Sequence, residues 1–248
     1  MDEELIKRAE ELAGRCVKTG SLTVLGFLTP AQAAGLKRWT PRSDCTIRFS
    51  GGYPEAERVL CFFLPDWMED ERFSEEEYIG VIEITAHFGE PTHRDYLGAV
   101  LNLGIGREWV GDILVNGSKA WLLCLPSVKQ HILLNLKRAG KCGITVQESS
   151  LDAIPKQERR FRETVFSVKS LRLDAVCAGI FGISRSSVTD YIAQGFVTLN
   201  YMVCQKNDAG ISANDIISVR GKGKSVILEA GERESKKGRL FVKAGIYQ

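Results

Sequence analysis

The chain has 248 residues, 44% of them hydrophobic, with 33 Lys and Arg against 31 Asp and Glu for a formal net charge of +2. That length holds two modest domains with cores of their own. Its longest apolar runs are too short to cross a bilayer, and its amino terminus, Met1-Asp2-Glu3-Glu4-Leu5, is acidic, so neither export nor a membrane anchor is expected and the cytoplasm is the predicted compartment.

The first segment, residues 1–43, has helical periodicity through Leu5 and Leu12, then a second helical or loop region over 21–32 that ends near Gly35, and a break at Thr40-Pro41. From Asp44 the pattern turns to strand. Residues 45–49 and 58–64 flank the turn Gly51-Gly52-Tyr53-Pro54, and an acidic loop over 66–77 leads to a strand over 78–88. A helix over 93–103 sets Leu97, Val100, Leu101 and Gly104 at helical spacing. Strands follow over 113–115 and 120–125, then a helix over 127–139 and a closing strand over 143–148. This mixture predicts an α+β fold, with an α/β plait over 44–148 covered on one face. Residues 149–166, with the charge cluster Lys156-Gln157-Glu158-Arg159-Arg160, read as a linker, and no internal repeat or low-complexity tract is evident.

Residues 167–248 form the last domain. Leu173, Val176, Cys177 and Ile180 make the apolar stripe of a helix ended by Gly182. Ser184 caps the next helix, whose stripe is Val188, Tyr191 and Ile192, and Gly195 ends it in the left-handed region. A strand over 196–199 turns at Asn200-Tyr201 and returns over 202–204. Residues 215–219 then pair with 225–229 through Gly221-Lys222-Gly223-Lys224.

Charge is divided unevenly along the chain. Residues 167–248 hold 12 Lys and Arg against 7 Asp and Glu, net +5, whereas residues 1–166 hold 21 against 24, net −3. The asymmetry points to a polyanion bound at the carboxy-terminal end, the alternative being a solvated basic face. Arg185 follows a helix cap, where unpaired N–H groups favour a phosphate, and Ser184, Ser186 and Ser187 add hydroxyls at the same place. Arg185 and Thr189 lie to one side of the apolar stripe, leaving that edge free for a ligand. Arg172, Lys206, Arg220, Lys222 and Lys224 extend the cationic reach. None of these side chains is arranged to read bases, so recognition of RNA backbone and shape is the expected mode.

Chemistry is harder to find elsewhere. Thr92-His93-Arg94-Asp95 opens a helix and forms either an anion site for a second RNA contact or a local cap and salt-bridge network. Arg107 is a further RNA-contact candidate. It follows Gly104-Ile105-Gly106, but that Gly-x-Gly comes after a helix, which argues against a dinucleotide fingerprint. His87, His93 and His131 have no metal spacing, and the seven cysteines contain no Cys-x-x-Cys pair, so buried thiols are expected and neither a metal nor a cofactor.

Several strings in this chain also carry a resemblance. Arg172-Leu173-Asp174, Ser184-Arg185-Ser186, Ile192, Gly195, Val197, Asn200 and the run from Asp215 to Gly221 resemble the S-four-type (αL) RNA-binding domain, named after the fourth protein of the small ribosomal subunit. Gly51-Gly52-Tyr53-Pro54-Glu55-Ala56-Glu57-Arg58, Thr92-His93-Arg94-Asp95-Tyr96-Leu97-Gly98 and Gly111-Asp112-Ile113-Leu114-Val115 are similar to the bacterial YlmH family, and the resemblance covers about residues 44–247. The resemblance implies an amino-terminal helical segment, a middle α/β-plait RNA-binding domain and a carboxy-terminal S-four-type domain. It implies a non-enzymatic protein, monomeric off the ribosome, that binds large-subunit rRNA and tRNA or peptidyl-tRNA. Its role would be quality control of stalled nascent chains, steadying peptidyl-tRNA while a carboxy-terminal tail is added, with a further link to cell division. One position departs from the family: the hairpin turn that usually reads Asn-Gly is Asn200-Tyr201 here, so Tyr201 either stacks on a base or packs against the domain.

Three rivals remain. S-four-type modules accompany pseudouridine synthases and RNA methyltransferases, yet Asp174 is followed by Ala175-Val176-Cys177, part of an amphipathic helix, and no strand with a Gly-rich cofactor loop can be placed upstream. A ribosome assembly factor and an adaptor for an acidic protein are the other two.

Overall fold

The computed structural model describes residues 3–68, 73–156, 161–234 and 238–247, with the backbone alone at 232–234. The chain divides into two units, Met1–Gln157 and Glu158–Gln248. Gln157, Glu158, Arg159 and Arg160 of the expected linker cluster lie outside the described residues.

Helix α1 (Glu3–Thr19) buries Ala9, Leu12, Ala13 and Cys16, one face at helical spacing. Strand β1 (Thr23–Leu28) follows, where a helix or loop was expected. Its sequence, Thr-Val-Leu-Gly-Phe-Leu, is too short and too apolar to show a period, and only a pairing partner decides its form. That partner is distant. β1 pairs antiparallel with β3 (Val59–Leu64), which pairs in turn with β2 (Thr46–Ser50) in the order β1-β3-β2. Helix α2 (Pro30–Leu36) is opened by a capping box, Thr29 with Gln32, and by Pro30 at its first position. The first segment is therefore not purely helical, and the strands at 45–49 and 58–64 join it and not the plait.

The second sheet has the order β5-β6-β4-β8-β7. In chain order its elements are β4 (Gly80–Ala86), α3 (His93–Leu101), β5 (Val110–Asn116), β6 (Lys119–Cys124), α4 (Pro126–Asn135), β7 (Arg138–Ala139) and β8 (Cys142–Ser149). Helix α4 stops at Asn135, four residues short of the expected end, because Arg138 and Ala139 pair with Gly143 and Cys142. Gly140 makes that turn at φ +55°, and a Cβ there would come within 2.8 Å of Asp95 Oδ1, so glycine serves both the backbone conformation and the close approach to α3.

Alternation assigns the faces. Ile82, Ile84 and Leu122 pack beneath Tyr96 and Val100 of α3 and Ile132 of α4. The opposite face was expected to be open, yet Leu123 and Ile79 pack there against Phe27, Leu60, Phe62 and Leu64. Cys61 and Phe63, on the other side of β3, pack under α1 and α2. Strand β3 is thus apolar at nearly every position because it lies inside two cores.

In the second unit, β9 (Phe161–Val168) begins inside the stretch expected to be linker and runs two residues past it. It is followed by α5 (Leu173–Phe181), α6 (Arg185–Ala193), β10 (Val197–Leu199), β11 (Met202–Val203), β12 (Ile216–Val219), β13 (Gly223–Glu234) and β14 (Leu240–Tyr247). The sheet is antiparallel in the order β11-β10-β12-β13-β14-β9. Leu173, Val176, Cys177 and Ile180 of α5 and Val188 and Ile192 of α6 bury against Val197, Ile217, Val219, Ile227 and Val242. Both predicted stripes of this helix pair therefore face one core. The fold class is α+β, as the sequence predicts.

Candidate nucleic-acid interface

The two helices of the second unit are locked at their starts by one carboxylate. Gly182 ends α5 at φ +63°, Ser184 caps α6 by accepting from Ser187 N at 3.1 Å, and this tight turn brings the first turn of α6 back to that of α5. Asp174, 5% exposed, accepts from Arg185 Nη2 at 2.6 Å and from Arg172 Nε and Nη2 at 3.3 and 3.4 Å. Burial opposes charge on Asp174, but the hydrogen bonds from Arg185 and Arg172 outweigh it and hold the carboxyl below its usual range. The guanidinium side chains themselves stay 59% and 43% exposed. Each keeps N–H groups pointing past Asp174, because a guanidinium has five donors.

Around this pair lie the other expected residues. Ser184 Oγ is 2.8 Å from the hydroxyls of both Ser186 and Ser187. The loop that carries Lys206 runs against the start of α5, where Leu173 N donates to Ala209 O and Asp174 N to Asn207 O. Thr189 is different: its hydroxyl donates to Arg185 O in its own helix at 3.0 Å, so its proton already has a partner.

Arg220, Lys222 and Lys224 form a second group, at the far end of α6. Arg220 N donates to Phe196 O, and its guanidinium lies 5.2 Å over the Phe196 ring. Lys224 Nζ is 4.9 Å from the centres of both the Tyr201 and Tyr247 rings. Helix α6, nine residues and roughly 14 Å long, runs between the two groups. The turn between β10 and β11 keeps positive φ at both central residues, Asn200 at +50° and Tyr201 at +66°, although Tyr201 has a Cβ. Asn200 fastens it: Nδ2 donates to Asp215 Oδ1 and Oδ1 accepts from Ile216 N. Of the two roles open to Tyr201, packing against the domain is the one with visible partners.

In the first unit, Thr92 and Asp95 form a full capping box on α3, with Asp95 Oδ2 accepting from Thr92 N at 2.8 Å. The helix start is already occupied by a carboxylate, so of the two readings of Thr92-His93-Arg94-Asp95 the local cap is the one the side chains form. His93 and Arg94 remain exposed. Arg107 is half-buried and donates to the carbonyls of Val110 and Gly111, which ties its guanidinium to the backbone. Among the described residues no group of three His, Cys, Asp or Glu is placed to hold a metal ion, and no helix is long and apolar enough to cross a membrane.

Comparison with known proteins gives three agreeing results. Residues 74–153 match the family described as "Putative RNA-binding domain in YlmH". The "Ribosome-associated protein quality control protein P2" of Bacillus subtilis (strain 168) is 29% identical over 200 residues, 80% of this chain and 77% of that protein. A solved structure described as "Cell division protein ylmH from Streptococcus pneumoniae" superposes with a TM-score of 0.51 at 25% identity, covering 61% of this chain and 92% of that one. All three likenesses are to YlmH-type proteins.

Two of the three strings that carry the YlmH resemblance touch one another. Asp112 Oδ2 accepts from Tyr53 Oη and Glu57 N, each at 2.7 Å, and Oδ1 accepts from Arg58 N at 3.2 Å. Arg58, 8% exposed, donates to the carbonyls of Val110, Phe27 and Arg107, and burial pushes its guanidinium down to about 10. Two YlmH strings are therefore one buried joint between β3 and β5. Sequence reasoning missed Asp112 and Asp174 as organisers, although both stand in the quoted strings. It also missed Phe196 and Tyr247 beneath the cations, for which only the fold gives the signal.

Proposed function

We propose that this YlmH-like protein is a non-enzymatic RNA-binding factor of the ribosome, which grips structured RNA through its carboxy-terminal unit and acts in quality control of stalled nascent chains. The observation that carries this reading is the Arg172–Asp174–Arg185 cluster. Two half-exposed guanidinium groups are held in fixed positions by a buried carboxylate, beside three serine hydroxyls at a helix start. Pre-positioned donors of this kind suit phosphate oxygens, lose little freedom on binding and do not read sequence. The Bacillus subtilis relative, named for ribosome-associated quality control, favours ribosomal RNA and a cytoplasmic location, and the Streptococcus pneumoniae one is named for cell division. The finer role is steadying peptidyl-tRNA on the large subunit while a tail is added, by a protein that is monomeric off the ribosome.

The test is binding of the full chain to large-subunit rRNA fragments and tRNA across a salt series. Engagement of about four to six phosphates gives a log–log slope of roughly −3 to −5. Arg185→Ala is expected to lower affinity for many RNA sequences alike and to reduce the slope by about one. A loss confined to one sequence, or binding indifferent to salt, defeats the phosphate assignment. Recovery of large subunits carrying peptidyl-tRNA with the tagged protein supports rescue. Recovery of immature rRNA instead makes it an assembly factor.

A further inference from the structure

Residues 74–153 hold 7 Lys and Arg against 10 Asp and Glu, net −3, an unfavourable balance for binding a polyanion if the charge were spread evenly. It is sorted. Arg107 donates to backbone carbonyls, Lys119 pairs with Glu83 at 2.7 Å, and Lys129 pairs with Glu148. The other four cations, Arg94, Lys137, Arg138 and Lys141, are exposed and stand in no ion pair among the described residues. Three of them line a single groove of about 520 Å³ between α3 and the end of α4, and Lys141 sits in the β7–β8 turn that closes it.

The polar part of the rest of the lining fits the same ligand, beside the apolar Ala99, Leu103 and Leu136. Asp95 is the only carboxylate on it, and its Oδ2 is turned to Thr92, accepting from N at 2.8 Å and Oγ1 at 2.7 Å. Asn102 and Asn135 add carboxamides. Gly98 leaves the α3 wall open, since nothing lies within 4 Å of where its Cβ would be. A protein partner would want a large apolar anchor at the centre of such a groove, whereas phosphates and ribose hydroxyls want cations and amides.

We propose that this groove is a second RNA site, which holds a phosphate backbone along α3 through Arg94, Lys137 and Arg138 while the acidic remainder of residues 74–153 turns the polyanion away from other faces. The proposal rests on the reading that the protein binds RNA, and it assigns a surface on the first unit that the carboxy-terminal cluster does not supply.

The experiment uses the full chain, a labelled RNA stem-loop and unfractionated tRNA. The combined variant Arg94→Gln, Lys137→Gln, Arg138→Gln is expected to bind roughly tenfold more weakly at about 0.1 M salt, with the salt slope reduced by about 2 to 3. Gly98→Glu is expected to weaken binding while holding or raising the melting temperature, because glutamate is the better helix former, so misfolding cannot explain its loss. The paired lysines give the control: Lys119→Gln with Lys129→Gln leaves affinity near wild type. Wild-type affinity in both groove variants overturns the groove and leaves the carboxy-terminal reading intact. Equal weakening in the control, or polyglutamate competing as well as RNA, overturns it by assigning the effect to bulk charge or to an acidic protein. A wild-type chain that binds neither RNA in dilute salt overturns both readings.

Discussion

Replacing Asp174 by Asn keeps the shape of the side chain and removes the charge that joins α5 to α6. The shortest contact, 2.6 Å from Arg185 Nη2, loses its ionic character, and the longer contacts from Arg172 weaken with it. A hydrogen bond to a charged group contributes about 1.5–3 kcal/mol. The Arg185 side chain is 59% exposed against 7% for the side chain of Asp174, so water compensates the arginine and not the acid, and the expected cost is about 1–2 kcal/mol. For a unit of this size that lowers the melting temperature by roughly 5–15 °C. The acid dependence has a definite sign. The folded carboxyl titrates below its unfolded value of about 3.9, so its contribution is complete above that value and disappears as pH falls through the folded one. Thermal melts of both proteins from pH 7 downward should show a gap that is full at neutrality and closes in acid. Equal melting at pH 7, or a gap that persists undiminished in acid, refutes the role given to Asp174.

Tyr201 tests the strained turn. Tyr201→Ala retains the left-handed penalty and loses the ring beside Lys224, whereas Tyr201→Gly relieves it, so after glycine's greater unfolded-state entropy the glycine variant should be more stable by about 0.5–1 kcal/mol in urea unfolding. An alanine variant equal to or above glycine contradicts the backbone argument. At the joint in the first unit, Tyr53→Phe removes the 2.7 Å hydrogen bond to Asp112 and should cost about 1–2 kcal/mol in urea unfolding, with no change in RNA affinity. A drop in affinity would move the joint into the binding surface.

The helix pair of the carboxy-terminal unit was legible because its signals are local. Leu173, Val176, Cys177 and Ile180 recur at helical spacing, Gly182 and Ser184 punctuate the chain, and all four apolar residues are at most 4% exposed. Strands β1 and β9 were not legible in this way. Each is made a strand by partners far along the chain, β1 by β3 and β9 by β14, whose Leu240 lies opposite Val168. The site divides along the same line. Residue type marks both Arg107 and Arg94 as candidates, and only the carbonyls of Val110 and Gly111 distinguish a half-buried brace from a surface cation. Lys137 and Arg138 escaped notice because they were expected to lie within a helix, when a two-residue strand carries Arg138 to the edge of the groove.

Strand β3 has a practical consequence for anyone who would cut this protein into pieces. A fragment trimmed to the stretch matched by the family, residues 74–153, would strip Leu123 of Phe27, Leu60, Phe62 and Leu64 and leave an oily slab facing water. Such a fragment would clump or misfold for reasons unrelated to RNA. The smallest excerpt that keeps every greasy surface of that half covered starts with the first helix, since the hairpin that seals the sheet is itself roofed by it.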